Sequence, residues 1–410
     1  MKFKKRHLFF VVLLIGNLLC LEIALQVLAI IFPKVDSILS NKPKISRSID
    51  DSILEHRPNP DYPEHDLNGF RNNNIPDKCS IVALGDSQTY GIGVRTQETW
   101  PYLVGERASI CVYNMAFGGY GPVHSFLLLD EAFALRPELI IMAFYSGNDA
   151  YDSYMLVYKN SSLEYFKTRN EYLKQAMAAL DKKESYGEKI YNSLAWKSES
   201  VTFREYLSQK SKLYGLLRAL KRCINFMLKR KIFEDVNECY LKKEIKKDIN
   251  YGYNFHVGKF NTIFTPKYRL CAVDFDDSRM AEGHSIALEA IRLMHERCKE
   301  KNIKFALVLI PTKEMIFSDT VFKRAQAIPE AYESLIDNEK QFWESTKEFM
   351  KNHHIFYIDT LPALQRYIDR SIQPYYRGID GHPNIYGHRA IAELVLSEIK
   401  RKNFINITKS

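Results

Sequence analysis

The sequence predicts an α/β fold built on a parallel, doubly wound sheet, and two observations carry that expectation. Five short runs recur along the chain: IVAL (81–84), CVYNMAF (111–117), LIIMAFY (139–145), FALVLI (305–310) and IFYID (355–359). They are rich in apolar and β-branched residues, as strands buried on both faces are. Helical patterns such as HSFLLLDEAFAL and SIALEAIRLMHERCKEK lie between them. Alternation of strand and helix favours parallel pairing with helices on both faces.

Length and composition suit that fold. The chain has 410 residues, 46% hydrophobic and 26% charged. That is enough for a large domain with a sizeable insertion, and it excludes a low-complexity, disordered chain. No internal repeat is visible.

The first element is not part of the sheet. A basic tail, residues 1–7, precedes a stretch at 8–32 in which only Asn17, Glu22 and Gln26 are strongly polar. A helix of about 25 residues at about 1.5 Å each is longer than the roughly 30 Å hydrocarbon core. A cleaved signal would have a shorter apolar region and a small-residue cleavage site, and LQVLAIIFPKV offers none. The expectation is a single-pass membrane anchor at 8–32. Dense Lys and Arg before the span favour an internal N-terminus and an exported large domain, although Lys34, Lys42, Lys44 and Arg47 follow it.

Residues 33–78, polar and proline-spotted, read as a stalk and lead-in arm. The predicted strands fall in 79–150 and 278–402. The interval 151–277 breaks the rhythm: it shows no buried strand and reads as a basic, mostly helical insertion. It holds 24 Lys and Arg against 16 Asp and Glu, while the whole chain is only +9. Arg204–Lys231 concentrates that charge on one face of an amphipathic helix, which suits either an anionic membrane surface or a solvated scaffold face. No recognition motif points to nucleic acid, so none is expected as a partner. The cysteines outside the span, Cys79, Cys111, Cys223, Cys239, Cys271 and Cys298, lack the CxxC spacing of a zinc or redox site. No metal is expected, and sequence does not pair them.

Chemistry gathers where the predicted strands end. The first run stops at Gly85-Asp86-Ser87. Either residue of the Asp-Ser pair can cap a helix, or Ser87 is a nucleophile at the carboxyl end of a strand. The second run leads into NMAFGGYGP, where Gly119 N–H is a candidate oxyanion donor or simply part of a turn. The third leads into YSGNDAYD, where the Asn148 amide could hold an oxyanion or cap a helix. After the last run, GIDGHPN places Asp380 one residue away from His382. A carboxylate there can orient the imidazole locally, with Nε2 left for the serine. His388 is a rival base, but lies inside the following helix.

Taken in order, GDS with Ser87, NMAFGG with Gly119, GND with Asn148 and DGHPN with Asp380 and His382 resemble the four blocks of the SGNH hydrolases, also called GDSL esterases. The resemblance covers about half the chain. LIPTKE (309–314), NGFR (68–71) and the single anchor are similar to a bacterial membrane-bound branch. The resemblance implies a three-layer α/β/α, flavodoxin-like fold with a five-stranded parallel sheet. It also implies acyl transfer through Ser87, His382 and Asp380, with Gly119 and Asn148 in the oxyanion hole and no cofactor. Many members space acid and base as Asp-x-x-His. The shorter Asp-x-His found here resembles O-acetyltransferases of exopolysaccharide assembly. The expected function is therefore hydrolysis of O-acyl, first of all O-acetyl, esters of a cell-envelope glycan or lipid. One alternative is an O-acyltransferase acting on an exported polysaccharide, served by an acyl-supplying membrane protein. A non-catalytic envelope binding protein is the other.

Overall fold

Five parallel strands form the central sheet: β3 (Ile81–Leu84), β4 (Val112–Asn114), β5 (Leu139–Tyr145), β8 (Lys304–Ile310) and β9 (Tyr357–Asp359). Their order across the sheet is β4-β3-β5-β8-β9. Numbered among themselves they run 2-1-3-4-5, the flavodoxin-like order. The structure, a computed structural model, describes residues 2–32, 35, 39, 45–167, 211–217, 220 and 248–405. It divides into two compact units, Met1–Ile45 with Leu194–Cys239, and Ser46–Ser193 with Tyr240–Ser410.

The sheet lies in the larger unit. Alternate strand residues enter opposite layers, as the two-residue period of a strand requires. Ile140, Met142 and Phe144 face one layer with Leu307 and Leu309. There they meet α8 (Ser278–Glu300) through Ile291 and Met294, and α10 (Glu330–Asn352) through Leu335 and Phe342. Ile141, Ala143 and Val308 face the other layer. That layer holds α3 (Trp100–Ala108), α9 (Lys313–Arg324), α11 (Leu361–Asp369) and α12 (Ile385–Lys402). All seven residues of β5 are buried, which explains its unbroken apolar sequence.

Two parts depart from the sequence reading. The interval 151–277, read as free of buried strands, contains a hairpin of β6 (Tyr253–Val257) and β7 (Phe260–Phe264). In β6, Tyr253 and Phe255 point inward while Asn254 and His256 are exposed. Such alternating strands escape a search for continuously apolar runs. The same interval opens on α6 (Asp149–Lys159), which runs straight on from the third-strand motif. Likewise the lead-in arm carries a short hairpin, β1 (Ser48–Asp51) with β2 (Glu55–Pro58), made largely of polar residues. Apart from 211–217 and 220, the basic stretch 204–231 lies outside the described residues.

In the smaller unit, α1 (Lys2–Ile31) includes a segment, Val12–Ile31, with mean hydropathy 2.2. It is apolar and long enough to cross a membrane. Glu22 sits at its middle and accepts backbone N–H groups from Lys212 at 2.8 Å and Leu213 at 2.7 Å, and the Ser211 hydroxyl at 2.9 Å. The carboxylate thus caps the helical turn at 212–217, whose first N–H groups have no acceptor of their own.

Candidate active site

The order 2-1-3-4-5 opens a crevice at the carboxyl ends of β3 and β5, where the chain switches direction across the sheet. The chain leaves β3 through Gly85, whose φ is +147° and where a Cβ would meet Thr89 Oγ1 at 2.8 Å. Only glycine fits such a bend. A single helical turn, α2 (Ser87–Tyr90), follows immediately. Asp86 caps it by accepting the Gln88 N–H at 2.9 Å, so the capping reading of Asp86 holds. Arg71, from the NGFR segment, is buried and secures the turn's far end. It donates to the carbonyls of Tyr90 at 3.2 Å, Gly91 at 2.7 Å and Val94 at 2.8 Å.

Ser87 Oγ lies 2.9 Å from His382 Nε2, and His382 Nδ1 lies 2.7 Å from Asp380 Oδ1. The same carboxylate oxygen accepts the backbone N–H of His382 at 2.9 Å. Nδ1–H therefore donates to Asp380, leaving the Nε2 lone pair to accept the serine proton. Burial pushes the Asp380 pKa up, but the His382 hydrogen bond and charge, with the Lys313 ammonium, outweigh it and hold it below its ordinary value. Asp86 Oδ2 is a second neighbour of the serine hydroxyl, at 3.2 Å. Burial pushes the Asp86 carboxyl up to about 6.

The rival base does not compete. His388 is fully buried on α12 and its Nδ1 accepts the Trp100 N–H at 3.2 Å. Burial lowers its pKa to about 3, so the ring is a neutral packing element.

Gly119 lies in the loop after β4 with φ +81°. This loop abuts the serine: a Cβ on neighbouring Gly118 would stand 3.9 Å from Ser87 Cβ. His56, on β2, holds the loop from outside, its Nε2 donating to the Gly118 carbonyl at 2.9 Å. The lead-in arm therefore braces the site. Asn148 follows β5, the strand hydrogen-bonded beside β3. Its amide donates to Asp152 Oδ2 at 2.5 Å, rather than to the serine–histidine–aspartate set. An amide NH₂ has two hydrogens, so one remains for another acceptor. Burial raises the Asp149 and Asp152 carboxyls well above the ordinary range, and the charge of Asp86 adds to it.

Sequence reasoning missed Lys313 and Arg269. Lys313, within LIPTKE, is 1% exposed. Its ammonium donates to the carbonyls of Ile263 and Gly378 at 2.9 Å and of Asp380 at 3.0 Å. It ties the loop bearing Asp380 to β7, and burial lowers its pKa to about 8. The motif was visible, but its targets are carbonyls far away in sequence. Arg269 sits on α7 (Pro266–Leu270), in the interval read as insertion, where no motif marks it.

No known protein-family profile matches the chain. No curated protein matches it either. Among solved structures, the chain is similar to a catalytic mutant of an acetylxylan esterase from Geobacillus stearothermophilus, with 11% identity, 82% of this chain and 99% of the other covered, and a TM-score of 0.36. It is similar to a member of the lipolytic G-D-S-L family from Veillonella parvula DSM 2008, with 11% identity, coverage of 78% and 98%, and a TM-score of 0.35. A GDSL-like lipase from Bacteroides thetaiotaomicron VPI-5482 shares 11% identity over 78% of this chain and 88% of its own, with a TM-score of 0.33.

Proposed function

We propose that the chain is a membrane-anchored serine esterase of the SGNH type, acting on O-acyl, chiefly O-acetyl, esters of a cell-envelope glycan or lipid. The observation that carries this reading is the continuous hydrogen-bonded set from Ser87 Oγ to His382 at 2.9 Å and on to Asp380 at 2.7 Å. A buried scaffold serine has no use for an oriented base and a part-exposed carboxylate behind it.

In this mechanism Ser87 Oγ attacks the ester carbonyl carbon while its proton passes to His382 Nε2. Asp380 holds the ring in the tautomer that can accept it and stabilises the imidazolium formed. The carbonyl electrons move to oxygen, and the N–H groups of Ser87 and Gly119 with the free amide hydrogen of Asn148 receive the oxyanion. His382 returns the proton to the departing alkoxide as the carbon–oxygen bond breaks, leaving acyl-Ser87. Water, deprotonated by His382, then releases the acid.

The anchor reading assigns residues 8–32 to the membrane and the sheet-bearing domain to the exported side. Support comes from the apolar length of α1 and the basic residues before it. The domain limits 79–150 and 278–402, with 33–78 and 151–277 as arm and insertion, belong to the same reading, amended by the hairpins described above.

The test uses the full chain in detergent with p-nitrophenyl acetate, wild type against Ser87→Ala, and intact mass spectrometry. Turnover and an acyl adduct, both lost in the variant, are expected. An adduct that persists until a glycan hydroxyl is supplied would make the protein a transferase. Neither turnover nor adduct would reject covalent catalysis and favour the binding-protein reading.

A further inference from the structure

At the catalytic edge, Arg269 carries a charge that the ester chemistry above leaves unused. Its Nη1 lies 3.4 Å from the Gly147 carbonyl, a weak hydrogen bond at best. Its Nη2 is so close to Gly381 that a Cβ there would come within 2.4 Å of it. Gly147 precedes Asn148, and Gly381 precedes His382. The guanidinium therefore sits between the oxyanion donor and the base. The rings of Tyr145 and Tyr268 flank it, with centroids 5.6 Å and 4.9 Å away.

Arg269 is partly exposed and makes no ion pair among the described residues. The carboxylates whose charge it feels most, Glu314 and Asp380, are committed elsewhere. Glu314 accepts the Thr265 N–H at 2.9 Å and Asp380 holds His382. A guanidinium is always charged and offers five donors in a planar fork matched to carboxylate or phosphate. Leaving one half-buried with a single long hydrogen bond is costly unless a ligand completes it. A side chain at 381 would collide with the guanidinium.

We propose that Arg269 binds a carboxylate or phosphate on an acidic glycan, next to the ester that Ser87 attacks. This specificity role rests on the esterase reading and narrows its substrate class. Held there, the anion would fix the scissile carbonyl over Ser87, and binding energy from outside the reacting bond would be used for orientation.

The test compares full-length wild type, Arg269→Gln and Arg269→Lys in detergent. One arm sets O-acetylated oligogalacturonate against its methyl ester. The other sets an O-acetylated sugar phosphate against the same sugar without phosphate. In wild type, kcat/KM for the charged member of one pair should exceed the neutral member by about tenfold or more, as a charged hydrogen bond allows, mostly through KM. Arg269→Gln should bring that ratio close to one, and Arg269→Lys should retain part of it. The arm that responds identifies the anion. No charge preference in wild type, with p-nitrophenyl acetate still cleaved, overturns this proposal alone. Equal losses on charged and neutral substrates in Arg269→Gln also overturn it, because the residue is then structural. Absence of turnover and of any acyl-Ser87 adduct in wild type overturns the esterase reading, and this proposal with it.

Discussion

Asp380 grips His382 twice: the oxygen that lies 2.7 Å from the ring Nδ1 also takes the backbone N–H of the same residue at 2.9 Å. One short loop thus orients the imidazole through the carboxylate, and the Asp-x-His spacing is sufficient for it. Asp380→Asn retains the shape but can present an N–H to the ring and favour the wrong tautomer. Turnover of p-nitrophenyl acetate should fall about 10³–10⁴-fold with the melting temperature little changed. Activity within a factor of a few of wild type would remove Asp380 from the mechanism.

Asn148→Ala deletes the oxyanion donor of the proposed mechanism and the partner of Asp152. Loss of one such donor typically costs about 10²–10³ in kcat. The decrease should lie in kcat rather than KM, since the charge it meets exists only after attack. Steady-state kinetics separate the two, and a pure KM effect would contradict the role.

Lys313 acts through others. Its three carbonyl bonds hold the loop from Gly378 to Asp380 against β7. Lys313→Met keeps the buried stem but frees those carbonyls. The expected result is a lowered kcat and an altered pH–rate profile, because Asp380 also loses a nearby positive charge that helps hold its pKa down. A variant with reduced stability and an unchanged pH profile would show the lysine to be only structural.

Buried His388, its pKa depressed to about 3, makes stability sensitive to acid. Between its unfolded value, about 6.5, and that folded value, the unfolded chain binds the extra proton. This contribution is present above pH 6.5 and is lost as pH falls. Asp86, raised to about 6, works in the opposite sense below that pH. Because of this opposition the measurement is a difference. His388→Asn, whose carbonyl can replace Nδ1 as acceptor for Trp100, should show a smaller drop in melting temperature from pH 6.5 to 4.5 than wild type. Equal drops would mean that His388 does not titrate on unfolding.

Cys79 and Cys111 lie with their sulfurs 2.7 Å apart, at the starts of adjacent strands. Contact with Cys79 lowers the Cys111 thiol to about 7, making it the readier nucleophile. Oxidised glutathione, accepting two electrons and two protons, should convert the pair to a disulfide, seen as loss of two hydrogens by intact mass. A loop of this size should add about 4 kcal/mol of stability. Mixed disulfides alone, without the cross-link, would contradict the pairing.

What the sequence made legible follows from range. The inner strands β3, β5 and β8 are buried on both faces, so their burial is written in consecutive apolar letters. Ser87, Asn148 and His382 stand just beyond strands or just before a helix, where a polar residue interrupts a pattern. The hairpins were hidden because β6 alternates and β1–β2 is polar, and neither produces an unbroken run. Lys313 and Arg269 were hidden for a different reason. Each takes its meaning from partners such as Gly378 and Gly381, contacts made across the fold that no local pattern records.

Glu22 gives the proposed anchor a history as well as a place. A carboxylate at the centre of an apolar helix is expensive in hydrocarbon unless it finds a partner. Its partners at 211–213 lie about 190 residues later in the chain. In a chain anchored as proposed, the helix would reach the bilayer well before residues 211–213 had been made. Insertion and assembly would then be separate events, the second waiting on the first. Until the later segment arrives, the carboxylate would have the Gln26 amide, 2.7 Å away on the same helix, as its partner within α1.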